Sequence, residues 1–169
     1  MRPLVVVGDC LLDTDLDGTS ERLAPDAPVP VIDVHRSIDR PGGAGLAALL
    51  AARSGVPVVF VTALAADAAG RRVRELLDHE LDVVPLRLDG GTVRKSRLRV
   101  DGKAVARLDS GTGVAVGPLP ATARAALCAA GAVLVSDYGR GVTELPEIRS
   151  GLVDAARRVP VAWDPHPKG

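Results

Sequence analysis

The segment Arg40-Pro41-Gly42-Gly43-Ala44-Gly45 precedes the apolar run Leu46–Ala52, and together they predict a loop that leads into a helix. Two adjacent glycines permit backbone angles, and a close approach of a ligand to the backbone, that a side chain would hinder. The first N–H groups of the helix lack intrahelical partners and can therefore face an oxygen-rich ligand. A tight connection without a ligand is the commoner use of such a turn, so both interpretations stay open.

Strand and helix patterns alternate along the rest of the chain. Apolar, β-branched runs predict strands at 4–7, 56–63, 83–88, 132–136 and 159–163. Helical patterns lie between them, at 43–54, 68–78, 120–130 and 145–158. Pro28–Arg36 alternates apolar and polar residues in its second half and predicts a half-exposed edge strand or flap. This order predicts a single α/β domain over residues 1–169, with a mostly parallel sheet flanked by helices.

Carboxylates follow the first predicted strand at once. They close at Gly18 and comprise Asp9, Asp13, Asp15 and Asp17. Open α/β sheets bind ligands at the carboxyl ends of their strands, where these acids are expected. A solvated acidic turn explains the same residues, so the pattern alone leaves a ligand site and a surface turn as alternatives.

The dipeptide Asp101-Gly102 separates two alternating runs, 97–100 and 103–108, and predicts a hairpin with a type I′ turn. The predicted hairpin is rich in cations: Arg94, Lys95, Arg97, Arg99, Lys103 and Arg107. These side chains suit an anionic ligand, and they equally suit an exposed sheet edge that must not pair with another chain. The second interpretation is the slightly stronger of the two.

Composition excludes several classes of protein. Lys and Arg total 21, as do Asp and Glu, so no basic excess favours nucleic acid or an anionic membrane. The apolar start is too short for a signal peptide, and no run is long enough to span a bilayer. Cys10 and Cys128 fit no metal or redox spacing, which predicts a cytoplasmic protein with free thiols. Walker, dinucleotide and nucleophile-elbow motifs do not occur, and no metal ligand is assigned.

Several motifs in one order give the chain a resemblance to the ribokinase-like, or PfkB-type, carbohydrate kinases. The matching stretches are Val7–Asp13 (VGDCLLD), Arg22–Val31, Arg40–Ala44, Arg107–Asp109, Ser136–Gly141, and Asp164-Pro165 with Lys168-Gly169 nearby. Within the family the chain is most similar to the kinases of D-glycero-D-manno-heptose 7-phosphate. The resemblance implies the N-terminal, sugar-binding portion of an enzyme that phosphorylates a sugar or sugar phosphate with ATP.

The resemblance also implies roles for individual residues. Asp13 would hold sugar hydroxyls, and Gly42-Gly43 would bring backbone N–H groups against the sugar. Asp9 would belong to the same substrate-binding turn and steady it, while Lys95 and Arg107 would meet the phosphate of the sugar. Segments of about 14–36 and 92–109 would form a lid over the substrate, through which two copies could pair into a homodimer.

A second group of residues would lie near the transferred phosphate or its Mg²⁺, and it comprises Asp137, Arg140, Asp164 and Lys168. ATP and Mg²⁺ would be the cofactors of the complete enzyme. The family's catalytic Asp, in a Gly-x-Gly-Asp motif, would lie beyond Gly169, so no catalytic residue is assigned and the chain is expected to lack turnover.

Two departures from the family pattern keep alternatives open. Leu46 stands where these kinases usually carry an Asn that contacts the sugar, and the chain contains no Asn. The nucleotide-binding half of the family is also missing from the sequence. A non-catalytic sugar-binding or interaction module is therefore the competing hypothesis, and an unrelated Rossmann-like nucleotide binder is a third.

Overall fold

Two β-sheets organise residues 1–166, which are the residues that the computed structural model describes. The six strands of the large sheet are β1 (Leu4–Gly8), β4 (Val58–Leu64), β5 (Asp82–Asp89), β8 (Val114–Ala115), β9 (Ala132–Ser136) and β10 (Val161–Asp164). The four strands of the small sheet are β2 (Cys10–Leu23), β3 (Pro30–Gly43), β6 (Arg94–Val100) and β7 (Lys103–Ser110). The helices are α1 (Ala44–Arg53), α2 (Ala68–Leu77), α3 (Ala121–Ala129) and α4 (Pro146–Ala156).

The large sheet has the order β10-β9-β1-β4-β5-β8 and is parallel except for β8. β1 lies inside it, between β9 and β4, as its apolar sequence predicts. Val5, Val6 and Val7 are fully buried, because helices cover both faces of a parallel sheet. The short antiparallel strand β8 was not predicted, since two residues carry too little pattern to detect.

Helices pack on both faces of the large sheet and complete a three-layer domain. Val6 and Phe60 pack with residues of α1 and α2 on one face. Val5 and Val7 pack with residues of α3 and α4 on the other. None of the helices formed by residues 1–166 combines the length and apolar character that a bilayer crossing requires.

The small sheet grows directly out of the large one and has the order β3-β2-β6-β7. A single residue, Asp9, separates β1 from β2, and β3 runs straight into α1. The interpretation of the acids as a turn after the first strand is therefore wrong, because Asp13, Asp15 and Asp17 lie in the long strand β2. Alternate positions of this strand point to one face, where cations of β3 and β6 neutralise the carboxylates.

The segment Arg40–Gly43 also belongs to a strand, which corrects its prediction as a loop. Gly42 pairs with Leu11 and Gly43 pairs with Cys10 in the antiparallel ladder between β2 and β3. Helix α1 then begins at Ala44. Pairing with β2 outweighs the weak strand propensity of proline and glycine.

The predicted hairpin is confirmed. β6 and β7 pair in antiparallel fashion on either side of Asp101-Gly102. Both turn residues have positive φ, 49° and 76°, as a type I′ turn requires. β7 is exposed along its whole length at the edge of the small sheet.

Candidate functional site

A cavity of about 400 Å³ lies where the two sheets meet, beyond the carboxyl ends of β1 and β9. The residues that line it include Asp9, Leu11, Lys95, Arg107, Tyr138 and Arg140. The first two come from the crossing between the sheets, the next two from the hairpin, and the last two from the segment after β9. The structure thus brings together four of the residues that the sequence predicts for the site, namely Asp9, Lys95, Arg107 and Arg140.

Asp9 holds the segment after β9 in place. Its Oδ2 accepts hydrogen bonds from the backbone N–H groups of Tyr138 (2.9 Å) and Arg140 (3.0 Å), and its Oδ1 accepts one from Val142 (3.1 Å). Burial raises the pKa of the Asp9 carboxyl, and the three N–H donors offset that rise only in part. Because both oxygens are engaged by the backbone, Asp9 shapes the cavity wall.

Asp13 and Gly42 lie side by side on neighbouring strands. A Cβ built on Gly42 would lie 2.5 Å from Asp13 Oδ2 and 2.3 Å from Leu11 Cδ1, so no side chain fits there. The other carboxylate oxygen, Asp13 Oδ1, accepts a hydrogen bond from Arg97 Nη1 at 2.8 Å. Protein atoms of β2 thus lie against Gly42, an arginine occupies the carboxylate of Asp13, and the sugar contact predicted for this glycine stays a prediction.

Gly43 turns the chain from β3 into α1. Its φ of 58° lies in the left-handed region that favours glycine. A Cβ there would also lie 2.6 Å from the carbonyl oxygen of Asp9. That same carbonyl accepts a hydrogen bond from the Ala44 N–H at 3.1 Å, so the start of the helix is joined to the end of β1.

The cations around the cavity differ in how they are neutralised. Arg107 pairs with Asp109 at 2.8 Å on the exposed strand β7. Lys95 and Arg140 form no ion pair with a carboxylate in the part of the chain that the structure describes. Lys95 Nζ instead lies 5.9 Å from the ring centroid of Tyr138. Two cations that face one cavity without counter-charges are suited to a phosphate.

The carboxylates predicted near a transferred phosphate lie at the same edge of the large sheet, but they do not form a metal site. Asp137 is buried, and its carboxylate accepts hydrogen bonds from Gly139 N and Thr143 Oγ1 at 2.8 and 2.9 Å. Asp164 is exposed at the end of β10, and its carbonyl accepts a hydrogen bond from the N–H of Asp137.

Within residues 1–166 there is no group of three or more potential ligands that could hold a metal ion. Asp137 is engaged by its own loop, so the described residues do not fit a Mg²⁺ site, which prefers several carboxylate and water oxygens. Lys168 lies outside the described residues.

Sequence reasoning missed two aromatic members of the cavity wall. The rings of Tyr138 and His166 stack with their centroids 6.3 Å apart, and both residues line the cavity. Tyr138 lies inside the motif Ser136–Gly141, so its place in the chain was a usable signal. His166 follows the last strand and carried no pattern of its own.

Comparisons with curated proteins cover almost the whole chain. The bifunctional protein HldE of Streptomyces coelicolor is 51% identical over 167 residues, which are 99% of this chain and 35% of that protein. The bifunctional protein HldE of Nitrosococcus oceani is 35% identical over 176 residues, which are 98% of this chain and 36% of that protein. The chain thus spans about a third of the length of these relatives. No protein-family model matches it.

Solved structures share the fold. Arabidopsis thaliana ribokinase, complexed with ribose and ATP, has a TM-score of 0.67 at 21% identity, over 97% of this chain and 53% of that one. Escherichia coli phosphofructokinase-2 has a TM-score of 0.68 at 14% identity, over 97% of this chain and 54% of that one. The chain is therefore a homologue of the HldE proteins over about a third of their length, and it has the fold of the ribokinase-like sugar kinases.

Proposed function

We propose that the chain binds a sugar phosphate of the heptose 7-phosphate type and is the sugar-binding portion of an ATP-dependent carbohydrate kinase. One observation carries the proposal: the wall of the cavity at the carboxyl ends of β1 and β9 contains two cations, Lys95 and Arg140, that form no ion pair within residues 1–166. Asp13 does not line this cavity itself, but it lies opposite Lys95 in the register of β2 and β6. Homology to the HldE proteins supports this choice of substrate class.

Each part of such a ligand has a matching group. A carboxylate can accept hydrogen bonds from neighbouring sugar hydroxyls, which is the role we assign to Asp13 beside Gly42. Lys95, Arg107 and Arg140 would face the phosphate, since charge-assisted hydrogen bonds are the strong ones. The ring of Tyr138 offers an apolar surface to the sugar ring. Asp9 would hold the segment that carries Arg140.

The small sheet would act as the lid of the site. It contributes both Lys95 and Arg107 to the cavity wall, so its position decides whether the phosphate can be bound. A lid that closes over the sugar excludes water and protects the nucleotide from hydrolysis in a kinase. This role rests on the placement of the hairpin beside the cavity.

In a complete enzyme ATP would supply the phosphoryl group that a sugar hydroxyl receives. Residues 1–166 contribute sugar and phosphate contacts but no fitted Mg²⁺ ligands and no assigned catalytic base. We therefore expect the chain to bind its sugar without turning over. Sugar-dependent release of ADP from ATP, well above the rate without sugar, would contradict that expectation.

Binding can be tested by isothermal titration calorimetry of the purified chain with heptose 7-phosphate and with the unphosphorylated heptose. Lys95→Met should weaken binding of the phosphorylated sugar about tenfold, the loss of one charged contact, and leave the unphosphorylated sugar nearly unaffected. Arg157→Met is the matched control, because Arg157 is an exposed residue at the end of α4, where its partner is Asp154. Equal loss with both sugars would contradict a phosphate role for Lys95.

Pairing of two small sheets into a homodimer is a further part of the proposal. Val105 and Leu108 of the edge strand β7 are 53% and 56% exposed, and Val34 on β3 is 48% exposed. Burial of such side chains against a second copy would be favourable. Light scattering coupled to size exclusion should show a dimer that Leu108→Asp converts to a monomer. A monomer for the unmodified chain at high micromolar concentration would refute this part.

A further inference from the structure

Two arginines on the strands that flank β2 each bind a carboxylate of β2 that is two residues away from the position directly opposite. In the sheet register Asp13 lies opposite Arg40 on β3, and Asp15 lies opposite Arg97 on β6. The hydrogen bonds run diagonally instead: Arg97 Nη1 donates to Asp13 Oδ1 at 2.8 Å, and Arg40 Nη2 donates to Asp15 Oδ2 at 2.5 Å. Arg97 therefore binds Asp13 and not Asp15, the carboxylate directly opposite it.

The carboxylate of Asp15 lacks part of its hydrogen bonding. Asp15 is 6% exposed, and its Oδ1 is buried without a hydrogen-bond partner among residues 1–166. A buried carboxylate oxygen that lacks a donor is unfavourable, so the structure holds an acceptor site ready for a cation. Arg97 is the cation opposite that site, and its side chain is 40% exposed.

The carboxylate that Arg97 occupies is the one we assign to the sugar, and this inference rests on that proposed function. Asp13 Oδ2 lies against Gly42, where no further atom fits, so Oδ1 is the oxygen left for a ligand. A sugar hydroxyl that binds there must compete with Arg97. If Arg97 moves to Asp15, Asp13 exchanges the arginine for hydrogen bonds from sugar hydroxyls, and the buried oxygen of Asp15 gains a donor.

We infer that Arg97 is a positioning residue that covers Asp13 when the site is empty and transfers to Asp15 when a sugar binds. Asp15 then sets the sugar affinity without touching the sugar, since it supplies the alternative partner. The exchange also couples β6 to the ligand, because Arg97 is carried by the same strand as Lys95.

A double-mutant cycle on the purified chain tests this inference, with heptose 7-phosphate as the probe in isothermal titration calorimetry. Arg97→Met removes the internal competitor and should tighten binding at least threefold, since partly exposed ion pairs are worth about that much. Asp15→Asn keeps an oxygen for Arg40 but offers Arg97 an amide donor, so it should weaken binding about fivefold to tenfold. In the double variant the effect of Asp15→Asn should vanish.

If Asp15 had only a structural role, Asp15→Asn would weaken binding equally in the unmodified chain and in Arg97→Met. That result would overturn the inference. Weaker binding of the sugar by Arg97→Met would also overturn the inference, because it would mean that Arg97 itself holds the sugar. The matched control is the next rung, Asp17→Asn with Arg99→Met, whose ion pair spans 3.8 Å and should show no effect.

The outcomes separate this inference from the proposed function. Absence of binding by the unmodified chain and by Arg97→Met alike would refute the proposed function and the inference with it. Binding by Arg97→Met alone would support both. Binding by the unmodified chain without any coupling between Asp15 and Arg97 would refute the inference and leave the proposed function standing. If Asp15→Asn fails to fold, the single variant Arg97→Met still tests the inference, because tighter binding of the sugar supports it and weaker binding contradicts it.

Discussion

Asp9→Asn tests whether the carboxylate at the crossing between the two sheets holds the cavity wall. The carboxylate accepts three backbone hydrogen bonds, of 2.9, 3.0 and 3.1 Å, from the segment 138–142. An asparagine has almost the same shape but offers one oxygen and one NH₂ group. At least one backbone N–H would then face a donor in place of an acceptor, in a position that is 97% buried, since Asp9 is 3% exposed.

The expected cost follows from those contacts. A buried donor that loses its partner costs about 1–3 kcal/mol, and the bonds that persist weaken because they lose the charge of the acceptor. Removal of a buried charge returns part of this cost, since burial raises the pKa of Asp9 and so opposes its ionisation. We expect a net loss of roughly 2–4 kcal/mol in the free energy of unfolding, which for a chain of this size lowers Tm by about 5–15 °C.

Urea unfolding followed by circular dichroism measures the loss directly, and the matched control is Asp109→Asn. Asp109 is about half exposed and pairs with Arg107, so its substitution should change stability by less than about 1 kcal/mol. Asp9→Asn should also weaken sugar-phosphate binding, because the same segment carries Arg140. A stability within about 0.5 kcal/mol of the unmodified chain would refute the reasoning, since three bonds to one carboxylate cannot then hold the segment.

Three further predictions concern single positions. Gly42→Ala places a Cβ 2.5 Å from the carboxylate assigned to the sugar and should lower sugar affinity at least tenfold, whereas Gly91→Ala, which has no contact closer than 3.5 Å, should not. Leu46→Asn, at a position 41% exposed, should raise sugar affinity severalfold if the amide of the kinase family belongs there, and unchanged calorimetric titrations would contradict this. Burial raises the pKa of the Cys10 thiol to about 12. A thiol reagent at pH 8 should therefore label exposed Cys128 and leave Cys10 unmodified until the chain unfolds. Rapid labelling of both thiols in the folded chain would contradict this.

The large sheet could be predicted because its signals are local. The run Leu4–Val7 is apolar and largely β-branched, which is typical of a strand covered on both faces, and it lies inside the sheet. Asp101-Gly102 determined its own turn type, since few other residue pairs adopt two positive φ angles. In both cases the residues that determine the structure are neighbours in the sequence.

The small sheet could not be predicted in the same way, because its stability depends on distant partners. Asp13 and Asp15 are two residues apart, as residues on one face of a strand are, yet buried carboxylates favour a strand only when cations from β3 and β6 neutralise them. Those cations, Arg40 and Arg97, lie 25 and 84 residues away from the acids they bind. A register between strands decides which charges meet, and the sequence of β2 carries no information about that register.

The balance of charge around the cavity favours a phosphorylated sugar over a neutral one. Asp13 and Asp15 are each paired with an arginine of the small sheet, and the exchange that we infer leaves the total charge of these four residues unchanged. Lys95 and Arg140 in the cavity wall have no carboxylate partner within residues 1–166, so a neutral sugar would leave two cations near a closed ligand without compensation. A phosphorylated ligand supplies the negative charge that Lys95 and Arg140 lack. We therefore expect heptose 7-phosphate to bind at least tenfold more tightly than the unphosphorylated heptose, with a difference that shrinks as salt is added. Equal affinities at low salt would show that these cations do not serve the ligand.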